Sequence, residues 1–194
     1  FSMGFIYDYY DLNYKDSIRE VNGVYNVRLN NDEDLHLFRT YGEWKYRFNN
    51  DMSAYAGLNV QHLFLIKETT FEPRLGLKWQ FTDRMSVYTG AGLHSQVQPK
   101  MAYFYESENA SGMLEMTNTD LKMSKSIHYV AGYDWLINGN FRFKAETYYQ
   151  YLYDIPVQKD WAEFSMLNAG DFFGLPLLDS LVNRGTGENY GVEF

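Results

Sequence analysis

The stretch Phe141 to Tyr153, FRFKAETYYQYLY, decides the fold. Taken two residues at a time, one side reads Phe141, Phe143, Ala145, Thr147, Tyr149, Tyr151 and Tyr153, and the other reads Arg142, Lys144, Glu146, Tyr148, Gln150 and Leu152. Successive side chains of a β-strand point to opposite faces, so a period of two with one apolar and one mostly polar set describes a strand between a dry and a wet environment.

The same pattern recurs on both sides of this stretch. Phe71 to Phe81 sets Phe71, Pro73, Leu75, Leu77, Trp79 and Phe81 against Glu72, Arg74, Gly76, Lys78 and Gln80. Leu35 to Phe48 sets Gly42, Trp44, Tyr46 and Phe48 against Arg39, Tyr41, Glu43, Lys45 and Arg47, and Met52 to Phe64 sets Ala54, Ala56, Leu58 and Val60 against Ser53, Tyr55, Gly57, Asn59 and Gln61. Arg84 to Val97 and Ser126 to Leu136 follow more loosely, and Phe1 to Tyr10 and Thr186 to Phe194 read as strands cut short at the ends of the chain, so eight strands are expected. The complete ones run to about 11 to 14 residues, enough for a tilted strand to cross hydrocarbon, whereas soluble strands commonly stop near five or six.

The connections alternate in length. Asn49-Asn50-Asp51, Thr82-Asp83 and Ile137 to Asn140 are tight turns, while Asp11 to Asp34, Gln98 to Lys125 and Asp154 to Gly185 read as long loops, with a shorter exception near Leu65 to Thr70. Aromatic residues gather ahead of the tight turns, at Trp44, Tyr46 and Phe48, at Trp79 and Phe81, and at Tyr133 and Trp135. Short turns on one rim, long loops on the other and an aromatic girdle describe an outer-membrane barrel. The expected fold is therefore all-β, an antiparallel transmembrane β-barrel segment with short periplasmic turns and long extracellular loops.

Composition agrees. Aromatics are 19% of the 194 residues, yet the mean hydropathy is polar at -0.45, as expected when lipid-facing and lumen-facing residues average out. No run approaches the roughly 18 apolar residues of a spanning helix. The longest, Phe172 to Val182, is broken by Gly174, Pro176, Asp179 and Ser180 and reads as loop. Cysteine is absent, which removes disulfides and thiolate chemistry, and the net charge of -8 opposes a nucleic-acid partner. Phe1 opens directly in an alternating pattern without a signal peptide, so the N-terminus reads as cut.

Several phrases resemble the barrels of TonB-dependent receptors, in particular those of the Bacteroidetes type that carry a carboxypeptidase-regulatory-like domain. They are Phe71 to Trp79 (FEPRLGLKW), Gly92 to Pro99 (GLHSQVQP), Asp120 to Trp135 (DLKMSKSIHYVAGYDW), Lys144 to Val157 (KAETYYQYLYDIPV) and Val182 to Phe194 (VNRGTGENYGVEF). The resemblance implies a barrel of about 22 strands closed by an N-terminal plug, importing a scarce ligand such as a siderophore, oligosaccharide or peptide with energy passed through TonB. This chain would supply about a third of that wall. Plug and TonB contacts would lie in other parts of the parent protein, and the strand ending at Phe194 would continue there. Outer-membrane lipid and the imported ligand are the implied partners, with a surface lipoprotein as a further one.

Candidate sites follow from the loops, which carry function on a rigid scaffold. Tyr103, Phe104 and Tyr105, within Met101 to Tyr105, form an aromatic cluster that could stack on a sugar ring or pack on a siderophore or peptide; an upper girdle or loop packing would use the same residues. Asn30 to Asp34 gathers oxygen ligands but lacks the glycine and spacing of a calcium loop, and a solvated acidic loop accounts for it. His36, His62, His94 and His128 lie on separate strands without HxxH or HxH spacing, so no metal or other cofactor is expected. His94-Ser95 is adjacency rather than a triad, with no nucleophile elbow, and GTGENYG from Gly185 lacks the lysine and helix of a phosphate loop. The expected activity is therefore binding and gating, without catalysis. Two other architectures share the pattern: a self-contained eight-stranded barrel, which lumen-facing Gly57, Gly76, Gly90 and Gly132 disfavour, and a secreted β-sandwich binding module, which would fold without detergent.

Overall fold

The structure, a computed structural model, describes residues 1–19, 21, 23–108, 111–160, 164–171 and 178–194. Its strands are β1 (Ser2–Arg19), β2 (Tyr25–Arg47), β3 (Met52–Leu63), β4 (Glu68–Thr82), β5 (Met85–Gln96), β6 (Glu106–Glu108), β7 (Leu114–Met116), β8 (Ser124–Asn138), β9 (Phe141–Gln158) and β10 (Leu181–Glu193). A four-residue helix, α1 (Lys100–Tyr103), and a 3-10 turn (Met166–Asp171) complete the described elements. Eight strands form one antiparallel sheet in the order β1-β2-β3-β4-β5-β8-β9-β10, and β6-β7 is a separate small ribbon. The eight expected strands are these eight. Among the described residues β1 and β10 do not pair with each other, so the sheet is open and the self-contained eight-stranded barrel is not what forms.

Each tight turn is closed by the same device. Asn49 Oδ1 accepts the backbone N–H of Asp51 at 2.9 Å and of Met52 at 2.7 Å, and Asn138 Oδ1 accepts those of Asn140 at 2.9 Å and Phe141 at 3.1 Å. Thr82 Oγ1 accepts Arg84 N–H at 3.2 Å. A side chain that mimics the turn's own carbonyl lets two long strands reverse within a few residues.

Two aromatic rows cross the outward face. The lower one, beside these turns, links Trp44 to Tyr46 (5.4 Å between ring centroids), Tyr46 to Phe48 (5.0 Å), Trp79 to Phe81 (5.6 Å) and Phe81 to Tyr133 (6.5 Å). The upper one links Tyr9 to His36 (5.0 Å), His36 to Phe64 (6.2 Å) and His62 to Phe64 (4.7 Å). On β2, His36 and Tyr46 are 10 residues apart, about 34 Å of strand. A tilt of about 40° brings that to about 26 Å, the height of an outer-membrane apolar band. Between the rows the outward residues of β4, Phe71, Leu75 and Leu77, are more than half exposed, as lipid-facing residues must be in the bare chain.

Above the upper row the polarity of the two faces reverses. The outward side chains become Asp11, Asn13 and Lys15 on β1 and Asp34, Asp32 and Asn30 on β2, all exposed, while Tyr10, Leu12, Tyr14, Leu35 and Leu37 turn inward. The expected loop over Asp11 to Asp34 is therefore corrected: β1 and β2 continue as a paired ribbon to Arg19 and Tyr25, with one register shift between Asp16 and Ser17. Beyond the bilayer the outward face meets water, so the alternation persists with its sign changed. The loop over Asp154 to Gly185 is likewise shortened, because β9 runs on to Gln158 and β10 starts at Leu181; within Phe172 to Val182, residues 172–177 lie outside the described residues.

On the inward face, tyrosines stand directly opposite glycines: Tyr41 on Gly4, Tyr55 on Gly76, Tyr88 on Gly132 and Tyr148 on Gly191. A Cβ added to Gly4 would meet the Tyr41 hydroxyl at 2.7 Å, one on Gly191 the Tyr148 hydroxyl at 2.7 Å, and one on Gly132 would overlap the Tyr88 ring. The glycines thus let the rings lie over the wall instead of projecting into the lumen, the aromatic cover of strand glycine. Gly132→Ala is expected to lower the thermal unfolding midpoint of the parent protein in detergent, and to have little effect when Tyr88 is already Ala. Equal losses in both backgrounds would show that the ring does not occupy that space.

Candidate functional site

Two regions of the inward face carry side chains placed for binding: a roof of packed loops above the membrane band, and the polar wall beneath it. The roof has its own apolar core. Leu35, Leu37 and Leu63 rise into it from β2 and β3, and Ala102, Tyr103, Phe104, Tyr105, Leu121, Met123, Phe164, Leu178 and Leu181 descend from the loops and the start of β10. Lys100 Nζ lies 3.7 Å from the Tyr10 ring centroid, a cation over an aromatic face.

Asn118, fully buried, ties the two longest loops together. Its Nδ2 donates to the carbonyls of Ala102 (2.9 Å) and Leu178 (2.5 Å), and its Oδ1 accepts Leu181 N–H at 2.9 Å. Gln98 Nε2 donates to Lys122 O at 2.8 Å and Ser124 Oγ at 2.9 Å, which closes the base of its own loop. Asn31, from the acidic run on β2, donates to Phe104 O at 2.6 Å. That run is strand, so the solvated acidic loop expected over Asn30 to Asp34 is corrected: Asp32 and Asp34 face outward, while Asn31 faces the roof.

Tyr103, Phe104 and Tyr105 are 0%, 1% and 2% exposed. Loop packing is what the structure shows for them, and none offers an open ring face to a ligand. The signal was present in Met101 to Tyr105: an apolar run this dense inside a polar loop has to be covered by something. Burial pushes the Tyr103 phenol from its ordinary 10.0 up to about 12, while the Gln98 N–H donated to its oxygen at 3.3 Å works the other way.

In the wall, Glu72 is 2% exposed and is held by five donated hydrogen bonds. Asn59 Nδ2 and Arg74 Nη2 reach its Oε2 at 2.9 and 3.2 Å, while Gln61 Nε2, Ser95 Oγ and Ser95 N–H reach its Oε1 at 2.5, 2.5 and 3.1 Å. A buried carboxylate survives only when so satisfied, and this one fastens β3, β4 and β5 to one another. Ser95 is therefore engaged with Glu72, whereas His94 packs against His128 with centroids 6.3 Å apart, so the adjacent pair serves two separate neighbourhoods. Sequence spacing could not have paired His94 with His128. They meet because Gly92 stands opposite His128 in the register, one step below His94. His36 and His62 belong to the upper aromatic row. GTGENYG is strand throughout, within β10, and two of its glycines, Gly185 and Gly187, lie at register shifts.

The wall is thus open and antiparallel, apolar outside, polar inside and roofed by loops. The sequence profile of the TonB dependent receptor-like β-barrel matches residues 1–194. This chain belongs to that family. No curated protein matches it. Among solved structures it is similar to two mutants of the ferric enterobactin receptor (PfeA) of Pseudomonas aeruginosa. Each is 14% identical over 84% of this chain and 24% of the receptor, with TM-scores of 0.56 and 0.57. The chain thus spans about a quarter of those receptors. At this identity the likeness concerns the fold, which is an outer-membrane β-barrel wall.

Tyr103 also sets a pH dependence for the roof. Its folded pKa lies above the unfolded value, so its neutral form favours the folded roof fully below pH 10.0, and that contribution is lost as pH rises from 10.0 towards about 12. Limited proteolysis of the loops should therefore accelerate across that interval, and Tyr103→Phe should remove much of the acceleration. Phenolate absorbance that titrates completely near 10, without the delayed fraction, would contradict the burial.

Proposed function

We propose that this chain forms part of the barrel wall and extracellular roof of a transporter that imports a scarce solute of the siderophore, oligosaccharide or peptide class. One observation carries the reading: the sheet has an apolar outward band bounded by two aromatic rows, a polar inward face, and loops folded over the inward side above the band. Such a wall separates lipid from an aqueous path and places a binding surface at its outer end. The free edges of β1 and β10 would present unpaired N–H and C=O groups to hydrocarbon, so in the parent protein each pairs with a further strand.

In this reading residues 1–194 are one part of a larger barrel of the Bacteroidetes type with a carboxypeptidase-regulatory-like domain, and a plug and the TonB-contacting segment are supplied elsewhere in the parent. No bond is broken by these residues; they bind and gate. Tyr103, Phe104 and Tyr105 serve ligand binding from beneath, by holding the roof surface in shape, and a surface lipoprotein would meet that roof from outside. Replacing residues 99–122 of the parent protein with a short glycine-serine linker should leave the barrel in the outer membrane, with unchanged surface abundance, and reduce solute uptake at least tenfold. Uptake unchanged after the replacement would place recognition elsewhere and contradict this role for the roof.

A further inference from the structure

The inward wall contains a recess of about 310 Å³ between β1, β2, β3 and β4 that neither the roof nor the aromatic rows use. Arg39 and Arg74 line it, with Tyr41, Tyr55, Glu43 and Asn59. A guanidinium has five N–H donors. Among the described residues Arg39 uses one, from Nη2 to Asp8 Oδ2 at 2.6 Å, and Arg74 uses one, from Nη2 to Glu72 Oε2 at 3.2 Å. The Nε of each is buried and has no hydrogen-bond partner among the described residues. Both side chains are partly open, 38% and 39% exposed, so the donors that can meet a ligand are their remaining Nη N–H groups rather than the shielded Nε.

Two of the three acidic groups nearby are ion-paired to these arginines. Glu72 takes its five donors, and Asp8 holds Arg39. Glu43 accepts the Tyr55 hydroxyl at 3.0 Å on Oε1 and the Ser2 hydroxyl at 3.3 Å on Oε2. Glu43, which has no ion pair among the described residues, keeps acceptor capacity, and the open donor capacity lies on two guanidinium groups whose orientation is fixed by one ion pair each. Planar, preoriented guanidinium forks match a carboxylate, which accepts two parallel N–H bonds. Lys45 and Arg47 continue along the same face of β2 below, so the approach is not barred by negative charge on that strand beyond Glu43.

We propose that Arg39 and Arg74 form a docking point for a carboxylate of a solute in the barrel lumen. The proposal rests on the transport reading for the presence of that solute, and it adds a chemical requirement that reading does not contain. The test is equilibrium dialysis of radiolabelled succinate, a small dicarboxylate, against the purified full-length parent protein in detergent. Heat-modifiable gel migration reports whether each variant is a folded barrel. Succinate should bind saturably, the uncharged diamide succinamide should not compete, and Arg39→Gln and Arg74→Gln should each weaken binding at least tenfold while both proteins remain folded. The Lys replacements, which keep the charge and lose the fork, should fall between. Binding unchanged in both Gln variants, no saturable succinate binding to the wild type, or displacement by succinamide would each overturn the proposal. Inorganic phosphate binding in place of succinate would overturn the carboxylate assignment. A parent protein that imports its solute but binds no succinate loses the docking point and keeps the transport reading; one that binds succinate at these arginines yet imports nothing keeps the docking point and loses transport.

Discussion

Hydrocarbon offers no hydrogen-bond partner, so every backbone N–H and C=O at membrane depth has to be paired within protein. In this chain the pairing is the antiparallel ladder that runs from β1 to β10 without a crossover, each of its strands joined to the next in sequence. Once the ladder is in place, geometry permits only two faces, and their chemistry is dictated by what each face touches. Leu75 can point to lipid only because Arg74 and Gly76 point away from it. The three side-chain-capped turns serve the same end, since a reversal that left backbone groups unpaired beside the lower aromatic row would be costly.

The ladder extends past the membrane, and there the partners of each face change. Between the aromatic rows the outside is oily and the inside wet; above His36 the outside is wet, and the inside is covered by folded loops. Tyr10, Leu12, Leu35 and Leu37 keep the parity of Asp8 and Arg39 on the same strands but lie in or against the apolar cluster that holds Tyr103, Leu121 and Met123. Asn118 holds that cover together through three hydrogen bonds to different segments, all of which a hydrophobic residue of similar size would forfeit. The roof and the wall are therefore mechanically joined, because the leucines that seat the roof belong to the strands that form the wall.

Much of the wall was readable in the sequence, and for a physical reason: where one face is apolar over the full membrane height, period two is long and unbroken. Eight strands, three tight turns and the lower aromatic row could all be read from it. The extension of β1 and β2 was not, because the reversal of polarity at Asp11 and Asp34 looks like the end of a strand when the apolar side is assumed to stay outward. Tyr103, Phe104 and Tyr105 stood out as aromatic, yet their burial depends on Leu35 and Leu63 arriving from distant strands, which no local pattern displays. The same holds for Glu72 and for the Arg39–Arg74 recess. Their partners lie on neighbouring strands, and a reading along the chain sees only charged residues at lumen-facing positions.

The change of partner along one continuous strand is tested directly by a spin label placed in turn at each position from Phe5 to Lys15 of β1 in the parent protein, reconstituted in bilayers. Oxygen accessibility, which reports lipid, should alternate and peak at Phe5, Tyr7 and Tyr9. Accessibility to a water-soluble paramagnetic reagent should then peak at Asp11, Asn13 and Lys15, on the same parity. A smooth loss of alternation after Tyr10, as in an unstructured loop, or a water-soluble signal that peaks at Leu12 and Tyr14, would contradict the reversal and with it the placement of the membrane boundary.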